Sequence, residues 1–131
     1  MILLDTHTWL WWVQEPNRLS SLALDIITTE EQQNGLLISA ISVWEIAVKV
    51  SLGKLRLPLP LGQWYEQARQ YPGVVIEPLD PLDAIASTEL PGEFHKDPAD
   101  RILVAIARRR GLSILSRDEK IIAYPHVEST W

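Results

Sequence analysis

Four acidic residues follow or flank apolar segments at widely separated places in the chain: Asp5, Glu45, Asp100 and Asp118. A fifth acid, Asp97, lies close to the third of them. Carboxylates gathered in one pocket repel one another, so they must be protonated, hydrogen-bonded or bound to cations. Oxygen ligands without sulfur favour a hard divalent ion. If these acids meet in the fold, they predict a site for Mg²⁺ or Mn²⁺.

The elements that must position these acids alternate between short apolar runs and longer helical patterns. This alternation is typical of a parallel sheet covered by helices. The patterns predict strands at 1–4, 36–39, 74–79 and 113–116, and helices at 8–14, 20–31, 41–51, 61–71, 81–90, 97–110 and 119–124. The tail is too short to assign. We therefore predict a single domain over residues 1–131, an α/β fold built as a three-layer α/β/α sandwich with a four- to five-stranded parallel sheet.

In this predicted fold the acids lie at one edge of the sheet. Asp5 directly follows the first strand, and Glu45 lies in the first turns of the helix after the second strand. Asp97 and Asp100 open the long helix, and Asp118 lies just beyond the strand that ends at Ser116. Ligands of open α/β sheets bind beyond the carboxyl ends of the strands, where the strand order reverses.

Each acid also has an ordinary structural interpretation as a helix cap. Asp5 and Asp118 are suitable N-caps, and Ser42-x-x-Glu45 matches a capping box. Asp97 followed by Pro98 is typical of a helix start. Capping does not require all the acids to share one edge, which favours a joint site, but the residues alone leave both interpretations open.

Composition and charge exclude several classes of protein. The 131 residues contain 47% apolar residues and no cysteine, which excludes disulfides, thiolate nucleophiles, zinc fingers and iron–sulfur clusters. Neither glycine fingerprint of a P-loop or a dinucleotide site occurs. The net charge of −5 argues against binding nucleic acid by bulk attraction, so any contact needs a local patch or a cation. Without a membrane-length apolar run or an export signal, we expect a cytoplasmic protein that does not interact with membranes.

Four segments of the chain resemble, in order and spacing, the motifs of PIN-domain proteins. They are Met1-Ile-Leu-Leu-Asp-Thr-His7, Ser42-Val-Trp-Glu-Ile-Ala-Val-Lys49, the His95–Ala107 segment His-Lys-Asp-Pro-Ala-Asp-Arg-Ile-Leu-Val-Ala-Ile-Ala, and Leu115-Ser-Arg-Asp118. Within that family the sequence is most similar to the VapC-like toxins of type II toxin–antitoxin systems.

The resemblance implies metal-dependent cleavage of RNA and assigns roles to the acids. Asp5, Glu45, Asp100 and Asp118 fall on the acidic quartet of the family, with Asp5, Asp100 and Asp118 as ligands of one or two Mg²⁺ ions. Glu45 is expected to complete the site as a ligand or by orienting water. Asp100 is preferred over Asp97 as the ligand because it directly precedes Arg101 and the Ile-Leu-Val-Ala run, and Asp97 is then a cap or a supporting group. Ala99 departs from the aromatic residue of many relatives, which affects local packing.

The resemblance also suggests partners, namely an RNA substrate, a small cognate antitoxin that docks near the first helices, and a second copy of the chain in a homodimer. Lys49, Arg101 and Arg117 are candidates for contact with the RNA backbone, together with Lys54 and Arg56. An intrahelical pair of Lys49 with Glu45 is the alternative for that lysine. Thr6 and Ser116 are candidates for orienting water or phosphate, with turn hydrogen bonds as the alternative.

Six tryptophans are many for this length. Trp9, Trp11 and Trp12 crowd one short helix and cannot all face one core, so at least one should line a partner groove. Trp44 and Trp64 are expected in the core.

Two other functions compete with that of a nuclease. A catalytically weak PIN-like module would bind RNA or a partner without cutting, but such a module has no need to keep the acidic quartet. A phosphoacceptor receiver-like domain would need adjacent acids after the first strand and a lysine after the last, and the chain has neither.

Overall fold

The computed structural model describes residues 1–131, and its strands and helices follow the predicted order. The strands are β1 (Ile2–Leu4), β2 (Leu36–Ser39), β3 (Val74–Glu77), β4 (Ile114–Leu115) and β5 (Ser129–Thr130). The helices are α1 (Thr6–Gln14), α2 (Ser21–Gln32), α3 (Ala40–Ser51), α4 (Leu61–Ala68), α5 (Pro81–Ala86), α6 (Pro98–Arg110) and α7 (Glu119–Ala123), with a 3₁₀ turn at Pro16–Arg18. None of the helices combines the length and the apolar character that crossing a membrane requires.

All five strands pair in parallel, in the order β3-β2-β1-β4-β5. The chain builds outward from β1 through β2 to β3, then returns past β1 to β4 and β5. The strand order therefore reverses between β1 and β4. This is the position at which α/β sheets open a crevice for ligands.

Alternate residues of the central strands pack into two separate cores. Ile2 and Leu4 face a cluster formed with side chains of α1 to α4, whereas Leu3 faces a cluster formed with α6 and α7. In β2, Leu36 joins the first cluster and Leu37 the second. Helices thus cover both faces of the sheet, and the predicted three-layer α/β/α sandwich is confirmed.

Helix α3 begins differently from the prediction. Its N-cap is Ser39, whose hydroxyl accepts a hydrogen bond from the Ile41 amide at 3.1 Å. The capping box predicted at Ser42-x-x-Glu45 is therefore wrong, because Ser42 lies inside the helix and is fully buried. The displacement places Glu45 in the second turn of α3 instead of at its start.

Several predicted elements are shorter than expected, among them β4, which spans Ile114–Leu115 instead of 113–116. Helix α4 ends at Ala68 instead of residue 71, α5 at Ala86 instead of 90, and β3 at Glu77 instead of 79. Pro72 disfavours helical geometry in the preceding residue. Gly73 has φ +80°, and a Cβ there would lie 2.6 Å from Glu31 Cα, so the chain turns sharply beside α2 before β3.

The tryptophans divide between core and surface. Trp9 and Trp64 are buried and contact each other edge to face at 5.2 Å between ring centroids. Trp11 and Trp12 are partly buried. Trp44, expected in the core, is 53% exposed, so that prediction is wrong. It follows Val43, which packs on the core, and it points away from the sheet because neighbouring helix positions are about 100° apart.

Candidate active site

The ends of β1 and β4 are joined by a hydrogen-bonded chain through Ser116. Asp5 Oδ2 accepts from the Ser116 hydroxyl at 2.5 Å, and Ser116 Oγ accepts from the Asp118 amide at 3.0 Å. Asp5 and Ser116 are 4% and 0% exposed. Ser116 thus links the Asp5 side chain to the Asp118 backbone at the point where the strand order reverses.

Helix α6 brings Asp100 to the same place. Burial raises the pKa of Asp100 to about 7, and the negative charges of Asp97, Asp118, Glu45 and Asp5 add to the shift. A charge acts appreciably on another only at short range in a folded protein. The five acids, separated by up to 113 positions in sequence, therefore share one electrostatic environment, as the sequence predicts.

Asp97 and Asp100 have different surroundings. Asp97 is exposed and caps α6, its Oδ1 accepting from the Asp100 amide at 3.0 Å. The Asp100 side chain is 16% exposed. A carboxylate turned toward the other acids is better placed to receive a cation than one turned to solvent, which favours Asp100 over Asp97 as a ligand.

Capping and clustering prove to be compatible. Asp5 Oδ1 accepts from the Thr8 amide at 2.9 Å, and Asp118 Oδ1 accepts from the Lys120 amide at 2.8 Å. The capping interpretation is therefore confirmed for both residues, and the joint cation site stays a prediction. As the side chains stand, no three acidic or imidazole groups surround a common point closely enough to hold one ion.

His95 is a site residue that the sequence analysis missed. Its Nε2 is buried and lies 2.9 Å from Asp100 Oδ2. The pair is at ion-pair distance but is not aligned as a hydrogen bond, so Nε2 has no hydrogen-bond partner. Nothing in the spacing of His95 from Asp100 indicates this contact, which depends on the loop before α6.

The sequence matches the PIN domain family over residues 2–127. The chain belongs to the PIN domain family. It is 32% identical to ribonuclease VapC22 of Mycobacterium tuberculosis (strain ATCC 25618 / H37Rv) over 125 residues, which are 95% of this chain and 92% of that protein. The resemblance to VapC-like members of the family is thereby confirmed.

Solved structures share the fold of this PIN domain at low sequence identity. VapBC2 from Rickettsia felis, bound to a DNA fragment from its promoter, matches with a TM-score of 0.73 at 13% identity, covering 99% of this chain and 98% of that one. FitAcB from Neisseria gonorrhoeae matches with a TM-score of 0.68 at 21% identity, covering 100% and 97%. A toxin–antitoxin complex from Klebsiella pneumoniae matches with a TM-score of 0.66 at 15% identity, covering 100% and 97%.

Two residues proposed to contact substrate or water are engaged within the PIN domain itself. Arg101 donates to the carbonyls of Ser87, Phe94 and His95 at 2.9, 3.0 and 3.3 Å, so its guanidinium holds the loop before α6. Thr6 is buried and donates to Ser42 Oγ at 2.9 Å, which ties α1 to α3. Both side chains thus have a structural role in the protein, and their contact with RNA or water stays a prediction.

Lys49 and Arg117 remain at the rim of the acidic cluster. Lys49 Nζ lies 3.8 Å from Glu45 Oε2, as the intrahelical alternative predicts, and 3.2 Å from His7 Nε2. Arg117 is exposed and its guanidinium carbon lies 6.0 Å from the centre of the Trp11 ring. The predicted contact of both cations with RNA stays a prediction.

Replacing Ser116 with alanine is expected to lower the free energy of unfolding by about 1–3 kcal/mol, because a buried carboxylate loses a donor and the Asp118 amide loses its acceptor. Urea unfolding monitored by circular dichroism measures the change. Ser113, whose hydroxyl makes only a long, exposed bond of 3.3 Å to Glu128, provides the matched control Ser113→Ala, with an expected change within about 0.5 kcal/mol. Equal effects of the two substitutions would contradict the role given to Ser116.

Proposed function

We propose that this PIN domain is a divalent-metal-dependent endoribonuclease that acts as the toxin of a toxin–antitoxin pair. The observation that supports the proposal is that the negative charges of Asp97, Asp118, Glu45 and Asp5 all act on the partly buried carboxyl of Asp100 and add to its raised pKa. The similarity to a protein named a ribonuclease supplies the substrate class. The five acids together carry a charge of −5, which equals the net charge of the chain. Cations bound to these acids would therefore neutralise the charge that repels RNA.

The donor set fits a hard cation. The cluster offers carboxylate oxygens and no sulfur, and the raised pKa of Asp100 indicates that it lacks enough compensating positive charge. Asp5, Asp100 and Asp118 would hold one or two ions of Mg²⁺ or Mn²⁺. Such an ion, when bound, neutralises charge on a phosphodiester and makes water easier to deprotonate.

The residues of the chain supply position and charge for the reaction. Ser116 and the Thr8 amide fix Asp5, while the Lys120 amide fixes Asp118. Glu45, 15% exposed at the side chain, either completes the ligand set or accepts the proton of the attacking water. In-line attack of the water oxygen on the phosphorus breaks the bond to the 3′ oxygen of the preceding nucleotide. That nucleotide is left with a 3′-hydroxyl, and the following one keeps a 5′-phosphate.

A small antitoxin and a second copy of the chain are the proposed protein partners. Solved structures of similar fold include toxin–antitoxin complexes. The outer surface of α3 exposes Trp44 and Leu52 by 53% and 62%, beside Pro98 and Ala99 at the start of α6. Exposed apolar side chains this close to the acids supply the kind of surface that such partners cover.

The deciding experiment incubates structured RNAs with the purified protein in Mg²⁺, in EDTA, and with the Asp5→Asn variant. We expect cleavage in Mg²⁺ that EDTA abolishes and that Asp5→Asn reduces by at least about a hundredfold, since metal catalysis contributes several kcal/mol. Circular dichroism establishes that the variant is folded. Cleavage in EDTA, or full activity of Asp5→Asn, would contradict the proposal, and RNA binding without any cleavage would indicate the non-catalytic module instead.

A further inference from the structure

A positively charged groove begins at the edge of the acidic cluster. We call it the basic groove, and it is lined by His7, Trp11, Arg18, Lys49, Lys54 and Arg56. Its volume is about 510 Å³, and its lining also includes the carboxylate of Glu15. Four permanent cations against one carboxylate make this a strongly positive region in a chain whose net charge is −5. The net negative charge of the chain therefore gives no indication of this local positive charge.

The basic groove is continuous with the proposed active site. Lys49 lies one helical turn after Glu45 on α3, with their charged atoms 3.8 Å apart. His7 lies two residues after Asp5 at the start of α1, and it accepts a hydrogen bond from Lys49 because an ammonium has no acceptor. The basic groove and the acidic cluster thus border each other at Lys49 and His7, so one RNA strand can contact both.

Trp11 gives the basic groove an aromatic wall. The Arg18 guanidinium carbon lies 5.4 Å from the centre of its ring, His7 lies 5.8 Å away and Trp131 5.9 Å away, centre to centre. The Arg18 side chain is 51% exposed, and its contacts are a surface pair with Glu15 and the Trp11 ring itself, so a base can displace it from the ring at little cost. Bases of single-stranded RNA stack on such aromatic rings while neighbouring cations contact the phosphates.

From this arrangement we infer that the basic groove binds a nucleotide of single-stranded RNA next to the one cleaved, with its base against Trp11 and its phosphates at Lys54, Arg56 and Arg18. The inference rests on the proposed function and adds a specificity site to it. It also gives the enzyme a preference for unpaired RNA at this position, because a base paired in a helix cannot reach the indole face.

The test measures the affinity of a fluorescent, unstructured ten-nucleotide RNA in an Asp118→Asn background, in which the RNA stays intact. We expect Trp11→Leu to weaken binding by about tenfold to a hundredfold, and Trp11→Phe to restore most of the affinity. Trp12→Leu is the matched control on the same helix, since Trp12 packs against Tyr71 and does not line the basic groove. Removing Lys54 and Arg56 together should also flatten the dependence of log affinity on log salt, by about 0.7 for each lost phosphate contact.

Three outcomes would overturn the inference in different ways. Equal affinities of the Trp11→Leu and Trp12→Leu variants would remove Trp11 from the RNA site while leaving the proposed ribonuclease function intact. Unchanged RNA affinity combined with lost binding of a deca-glutamate peptide would assign the basic groove to an acidic protein segment. Absence of RNA binding by the parent protein, together with absence of cleavage by the wild type, would overturn the proposed function as well.

Discussion

Asp100→Asn is expected to lower RNA cleavage by at least about a thousandfold. The side chain belongs to the acidic cluster, where burial and the negative charges of four other carboxylates raise its pKa. The substitution removes one negative charge and one ligand from that cluster, and a metal ion contributes several kcal/mol to phosphodiester cleavage. The loss should appear in kcat more than in KM, because the basic groove that binds RNA is unchanged.

Asp97→Asn is the matched control for this experiment, three residues away on the same helix. Asparagine is as good an N-cap as aspartate, so the bond to the Asp100 amide survives. We expect less than about a tenfold change in cleavage, measured under single-turnover conditions at saturating Mg²⁺. The reverse order of effects would identify Asp97 as the ligand and contradict the assignment made from burial.

The sequence was sufficient to predict the architecture and the edge of the sheet at which Asp5 and Asp118 lie. Strands such as Leu36–Ser39 are short apolar runs, and their length and the turn residues before them distinguish them from the longer helical patterns. Asp5 and Asp118 each follow a strand, and parallel strands end at one edge, so topology alone brings them together. Their capping bonds did not conflict with the site, because a carboxylate has two oxygens and several lone pairs.

What the sequence could not predict depends on long-range contacts. Arg101 and Thr6 have polar groups whose partners come from distant segments, and no local pattern encodes the carbonyls of Ser87 and Phe94 or the hydroxyl of Ser42. His95 meets Asp100 through the path of a loop. For such residues the type of side chain suggests which ligand it could bind. Whether its polar atoms already have hydrogen-bond partners within the protein depends on the fold.

In metal-free solution the protein should lose stability as the pH rises from about 4 to about 7. The folded state retains the Asp100 proton up to a pKa of about 7, whereas the unfolded chain releases it near the ordinary value of 3.8. The folded state therefore binds more protons in this interval, and its stability declines with increasing pH. At 1.36 kcal/mol for each pH unit, the loss from this one carboxyl is about 4 kcal/mol. Above about pH 7 the contribution is gone and the dependence on this group ends.

Asp100→Asn should abolish this decline and make the metal-free protein more stable than the wild type at pH 8. Urea unfolding in EDTA at several pH values measures both effects, and Asp25→Asn, an exposed change of the same chemistry on α2, should leave the wild-type profile unaltered.

Added Mg²⁺ should raise the stability of the wild type at pH 8, because an ion that binds only the folded state stabilises it, and should do little for Asp100→Asn. A variant that is less stable than the wild type at pH 8, or that gains as much from Mg²⁺, would show that Asp100 is not held in repulsion with the other acids. Both expected effects arise from the same uncompensated negative charge, that of Asp100. The pH-dependent loss of stability and the stabilisation by Mg²⁺ should therefore disappear together in the Asp100→Asn variant.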